Sequence, residues 1–129
     1  MPITKKIREI VYRKFDGHCA YCGCDLKYED MQVDHYIPVG RNCTDRELEW
    51  YLPHRGTDDL DNLMPSCRMC NFYKGRDSIE GFRRRLQEWL DYKHTFATKM
   101  ALKYGILTEH KWDGKFFFER VCDDVKESK

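Results

Sequence analysis

A small α+β domain stapled by four cysteines is the fold class this sequence predicts, and three observations predict it. Cysteines come in two pairs at CxxC spacing, Cys19 with Cys22 in "CAYC" and Cys67 with Cys70 in "CRMC". Apolar residues at helical steps mark one helix before the first pair and a longer helical run after the second. Between the pairs, "MQVDHYIPV" is a short apolar stretch with a proline, the pattern of a strand running into a loop.

Taken in order, each element has a local reason. Thr4 caps a first helix that carries Ile7, Ile10, Val11 and Phe15 on one face and ends at "DGH". The first cysteine pair follows as a turn, with Gly23 behind it where the backbone must fold tightly. After the strand, Thr44 and Glu47 stand at capping-box spacing and predict a short helix near 44–51. "PHRGTDDLDN" reads as loop from its proline, glycine and aspartates. From about Asp77, Ile79, Phe82, Leu86, Trp89 or Leu90, Tyr92 or Lys93, and Phe96 recur at roughly helical steps, and Gly105 ends the run. "WDGKFFFERV" reads as a turn and a last strand or extended tail. No repeat, low-complexity segment or linker divides the chain. One domain over 1–129 is expected, with a core at about 7–76 and a C-terminal helical extension and tail at about 77–129.

Composition narrows the class. The chain is 41% hydrophobic and 35% charged, with a mean hydropathy of −0.79, which suits a folded domain in water. No run approaches the roughly 18 apolar residues of a membrane span, so no membrane partner is expected. "MPITKKIREI" lacks the apolar core of about 7–15 residues of a secretory signal, which points to a reducing cytoplasm. Seven cysteines cannot all pair with one another, and metal is the better default for cysteines in pairs. Cys19, Cys22, Cys67 and Cys70 together supply the four thiolates of a tetrahedral zinc site. The competing reading is two unrelated cysteine pairs in a core. Cys24, Cys43 and Cys122 have no partner at this spacing and read as free thiols, and His54, His94 and His110 as ordinary surface or locally bonded side chains. The 44 residues between Cys22 and Cys67 exceed the roughly 15–20 of a simple zinc ribbon, so something is inserted between the knuckles.

That stretch carries the chemistry. "VDHYIP" puts Asp34 beside His35, "DNLMPSC" puts Asn62 five residues before Cys67, and "CNFYKG" puts Asn71 directly behind Cys70. In this order, nested between the knuckles, the elements resemble the HNH endonuclease family over residues from about 7 to 76. The resemblance implies a ββα-metal nuclease core stapled by structural zinc, and metal-dependent hydrolysis of DNA phosphodiesters. It implies His35 as general base, and histidine suits the role because its ordinary pKa is about 6.5. It implies Asp34 and Asn71 as oxygen ligands of a catalytic Mg2+ or Mn2+, a hard cation that keeps several waters. Asn62, by the same resemblance, pins the loop joining the two strands and helps orient the base.

Charge adds a partner. The net charge of +1 and pI of about 7.6 do not by themselves announce a nucleic-acid binder. The distribution is more telling: residues 25–62 carry ten carboxylates against four bases, while 71–104 carry eight bases against four acids. Lys74, Arg76, Arg83 and Arg84 are the candidate contacts to DNA phosphates. The triplet at 83–85 cannot all face one way on a helix. A domain of this size seldom reads a long sequence alone, so a homodimer or a protein partner is expected to supply specificity. The rival function is a catalytically silent zinc-dependent module that binds nucleic acid or acts as a scaffold.

Overall fold

The computed structural model describes residues 3–39, 55–88 and 95–127. The expected helix near 44–51, Cys43, His54, His94 and the Trp89–Lys93 stretch lie outside the described residues.

The first helix, α1 (Lys5–Arg13), starts as its sequence requires: Thr4 Oγ1 accepts from the Ile7 N–H at 3.2 Å. Val11 is wholly buried and Ile7 packs against the core, whereas Ile10 remains exposed. Beyond α1, Lys14 reaches across the fold and donates to the carbonyls of Leu60 (2.8 Å) and Leu63 (2.7 Å). The chain then turns through the first cysteine pair. Gly23 there has φ +80°, and a Cβ would press within 2.9 Å of the Phe117 ring.

Strands β1 (Gln32–His35) and β2 (Leu63–Ser66) form an antiparallel pair, with Asp34 opposite Met64 and His35 opposite Leu63. Pro65 sits within β2 opposite Val33. Proline fits only where its missing N–H is not needed. Its carbonyl accepts from the Ala20 N–H at 2.8 Å, so the first knuckle lies along this strand. Helix α2 (Arg68–Lys74) follows β2 at once.

Helix α3 (Ile79–Gln87) is capped by Ser78, whose Oγ accepts from the Gly81 N–H at 3.0 Å. Helix α4 (Phe96–Lys103) is capped by Thr95 in the same way, at 3.1 Å. Gly105 follows with φ +73°. The segment expected as a strand or tail is instead a helix, α5 (Phe117–Glu127). Tertiary packing explains the difference. Phe116 is 3% exposed, stacks on Phe82 (5.1 Å) and meets Tyr21 edge-on (5.8 Å). Phe117 covers the first knuckle, and Phe118 meets Tyr21 and Tyr36. The N–H groups of Phe117 and Phe118 donate to the Tyr21 and Ala20 carbonyls. Three consecutive phenylalanines thus dock the start of α5 onto the knuckle. Ile79, Phe82 and Phe116 share one core with Val11, Cys19, Tyr21, Met31 and Leu63.

Candidate metal centre and its strand–helix frame

Four sulfurs converge as the spacing requires. The Sγ atoms of Cys19, Cys22, Cys67 and Cys70 all lie within 4.8 Å of one another, and Cys22 Sγ is 3.9 Å from Cys67 Sγ. Zinc–thiolate bonds of about 2.3 Å in a tetrahedron set sulfurs about 3.8 Å apart, so the donor set fits zinc. Backbone N–H groups point at two of these sulfurs. Cys67 caps α2, its Sγ accepting from the Cys70 N–H at 3.4 Å, and Cys19 Sγ accepts from the Cys67 N–H at 3.3 Å. The Cys70 thiol, donating to Cys19, draws the Cys19 thiol down to about 4 against the cost of burial, with nearby backbone N–H groups helping. The same contact pushes Cys70 up. Cys24 and Cys122 are exposed and outside the four.

Strand β1 and helix α2 meet above this staple. Side chains two apart on a strand share a face, as do those three apart on a helix. Gln32 and Asp34 therefore face Asn71 and Lys74. Asn71 Nδ2 donates to Gln32 Oε1 at 3.4 Å, and Lys74 Nζ lies 3.1 Å from Asp34 Oδ2. Lys74 Nζ also donates to the His35 carbonyl at 3.0 Å. From the knuckle side, Tyr21 Oη donates to the same Asp34 Oδ2 at 2.5 Å. Burial and then the Asp34 charge raise the Tyr21 phenol far above its ordinary pKa, so it stays a neutral donor. Asp34 is only 6% exposed. Among the described residues, no hydrogen bond reaches its Oδ1 or the Asn71 Oδ1. Two hard oxygen donors thus remain open on facing elements, which suits Mg2+ or Mn2+.

His35 ends β1, and its Nε2 lies 2.8 Å from Asp58 Oδ1. A carboxylate only accepts, so Nε2 is the ring nitrogen that donates to Asp58, which leaves Nδ1 as the nitrogen facing away from it. Asn62 is buried in the loop between the strands, where its Oδ1 accepts from the Ile37 N–H (2.8 Å). Its Nδ2 donates to the carbonyls of Ile37 (3.0 Å) and Thr57 (2.7 Å). Gly56 permits this closure, because a Cβ there would overlap the Ile37 carbonyl at 1.8 Å.

The basic candidates divide. Lys74 and Arg83 do not stand where a phosphate contact would need them. The Lys74 side chain is 0% exposed and turned inward to Asp34, because α2 lays that face on β1. Arg83 is engaged by Glu119 (2.5 Å), Glu80 (3.1 Å) and the Gly114 carbonyl, tying α3 to α5. Arg76 and Arg84 are exposed. Sequence reasoning did not single out Tyr21, Asp58 or the inward role of Lys74. The three-residue step from Asn71 to Lys74 was a usable signal, since it puts both on one helix face. Nothing in "TDDLDN" distinguished Asp58 from its neighbours.

A two-stranded antiparallel sheet followed by a helix, with four clustered cysteines at its base, defines a small α+β domain. Residues 19–77 match the model of the family described as HNH endonuclease, so the resemblance carried by the motifs holds over that segment. The chain is also similar to the SPbeta prophage-derived putative HNH endonuclease YoqL of Bacillus subtilis (strain 168), 27% identical over 107 residues. That likeness takes in 82% of this chain and spans 39% of the relative's length. Among solved structures, the chain is similar to the Type II-C Cas9 enzyme from Actinomyces naeslundii. The TM-score is 0.47 at 16% identity, covering 76% of this chain and 10% of that one.

Proposed function

We propose that this chain is a metal-dependent endonuclease that hydrolyses DNA phosphodiesters at a ββα-metal site, with a structural zinc on Cys19, Cys22, Cys67 and Cys70. The observation that carries the reading is the pair of open oxygens, Asp34 Oδ1 and Asn71 Oδ1, on a strand and helix that face each other beside His35. Asp34 and Asn71 hold the divalent cation, which when bound stabilises charge developing on the phosphate and leaving oxygen. His35 Nδ1 takes a proton from water as its oxygen attacks phosphorus. The phosphorus–oxygen bond to the leaving group then breaks, and the alkoxide is protonated from solvent. Asp58 holds the imidazole in the tautomer this requires, and Asn62 holds the loop in place. Arg76 and Arg84 are the surface cations offered to the DNA backbone. No described helix is long and apolar enough to cross a membrane. A cytoplasmic setting and a second copy or protein partner that supplies specificity complete the proposal.

Supercoiled plasmid incubated with zinc-loaded protein and Mg2+ or Mn2+ tests it. Wild type is expected to convert the plasmid, Asp34→Ala to lose that activity while keeping zinc, and His35→Ala to fall by at least about 100-fold, the low end for general-base catalysis. Wild type that binds DNA but never cuts, across metals and DNA forms, would instead establish the silent binding module.

A further inference from the structure

The deepest charge at this site is a lysine. Buried ammonium groups persist only when paired and hydrogen-bonded, and Lys74 meets both conditions through Asp34 Oδ2 (3.1 Å) and the His35 carbonyl (3.0 Å). Its position has a consequence for any cation that Asp34 is to hold. The proposed donor set contains one carboxylate, Asp34, and one neutral amide, Asn71. Lys74 cancels the carboxylate, while Asp58 is turned to His35. With Lys74 against Asp34, the two proposed donor side chains therefore offer a divalent ion two good oxygens but no net negative charge of their own.

Building on the nuclease reading above, we infer that Lys74 is a fixed counter-cation that keeps the catalytic site from loading its divalent metal by itself. A DNA phosphate supplies the missing negative charge, so metal and substrate bind together. Lys74 suits this role better than a surface lysine would. Helix α2 holds it from one side, and Tyr21 fixes the shared carboxylate oxygen from the other. A buried charge is also screened far less by salt than an exposed one. The arrangement makes metal affinity a readout of substrate. A neighbouring unit charge within about 4–6 Å shifts an ionic equilibrium by about 1–3 pKa units, or roughly 10–1,000-fold. That range sets the expected coupling. By linkage, the factor by which DNA tightens metal binding equals the factor by which metal tightens DNA binding.

The test uses the 129-residue, zinc-loaded His35→Ala protein, so that DNA stays intact. Mn2+ is titrated by electron paramagnetic resonance with and without a short duplex, the duplex alone serving as blank. Mn2+ should bind at least about tenfold tighter with DNA present, and the duplex should bind correspondingly tighter with Mn2+. Adding Lys74→Met should tighten Mn2+ binding without DNA by at least about tenfold and shrink the coupling. Equal Mn2+ affinity with and without DNA, or no gain from Lys74→Met, overturns the inference. Should Lys74→Met lose its zinc or its fold, Lys74→Gln, which removes the charge but keeps a donor for the His35 carbonyl, takes its place with the same two outcomes. Asp34→Ala separates the two levels: Mn2+ binding in the DNA complex that survives this change refutes the underlying site. Asp34-dependent binding that ignores DNA refutes only the role of Lys74.

Discussion

Asn62→Ala is the substitution whose effect follows most directly from the coordinates. The side chain is 8% exposed and makes three hydrogen bonds, at 2.8, 3.0 and 2.7 Å, all to backbone groups of the loop between β1 and β2. Each such bond contributes about 0.5–1.5 kcal/mol net, so the three together are expected to be worth about 1.5–4.5 kcal/mol. The upper half is favoured, because alanine leaves the Ile37 N–H without its acceptor in a half-buried loop. Asn62→Asp sharpens the test. It keeps the acceptor for Ile37 but faces the carbonyls of Ile37 and Thr57 with an oxygen instead of a donor, so it should be no milder than alanine despite its matching shape. Urea unfolding of the zinc-loaded protein gives the stability loss, and plasmid cleavage gives its cost at His35, which the loop adjoins. An Asn62→Ala protein within about 0.5 kcal/mol of wild type that cleaves at full rate would falsify the claim that this side chain holds the loop.

Three other outcomes are expected. Cys67→Ser or strong chelation should unfold much of the domain, because structural zinc contributes about 10–16 kcal/mol in small peptides against a typical domain stability of about 5–15 kcal/mol; circular dichroism with elemental analysis checks this, and folded zinc-free protein would contradict it. Phe116→Ala should cost about 3–5 kcal/mol in urea unfolding, the range for a buried phenylalanine, since its ring stacks on Phe82 within the shared core; a loss below about 1 kcal/mol would return residues 106–127 to the status of a tail. Asp58→Asn should lower kcat with little change in KM, forfeiting part of the about 10²–10⁴-fold that a general base supplies. Nitrogen-15 shifts of the His35 ring should report whether the Nε2–H tautomer loses its dominance.

What the sequence alone determined is what short-range chemistry controls. Thiolates two residues apart on a turn can span one edge of a metal tetrahedron, so two CxxC pairs announced the four-sulfur cluster before any fold was known. The cap at Thr4 and the apolar face of α1 are likewise decided within a few residues, where the backbone's own unpaired N–H groups select the capping side chain. Even Asn71, aimed from the first turns of α2, follows from its place beside Cys70. Tertiary structure decided whatever depends on partners far along the chain. Lys74 and Arg76 are two residues apart and both cationic, yet one is buried against Asp34 and the other exposed, because only packing α2 on β1 distinguishes the two directions. Tyr21 reaches Asp34, and Asp58 reaches His35, across 13 and 23 residues of chain. The segment after Gly114 reads locally as strand or tail, but Phe117 and Phe118 open a helix directly behind Phe116 once the knuckle and Phe82 give the three rings somewhere to go. Burial of aromatic area outweighs the modest local preference of a short segment, and that burial exists only in three dimensions.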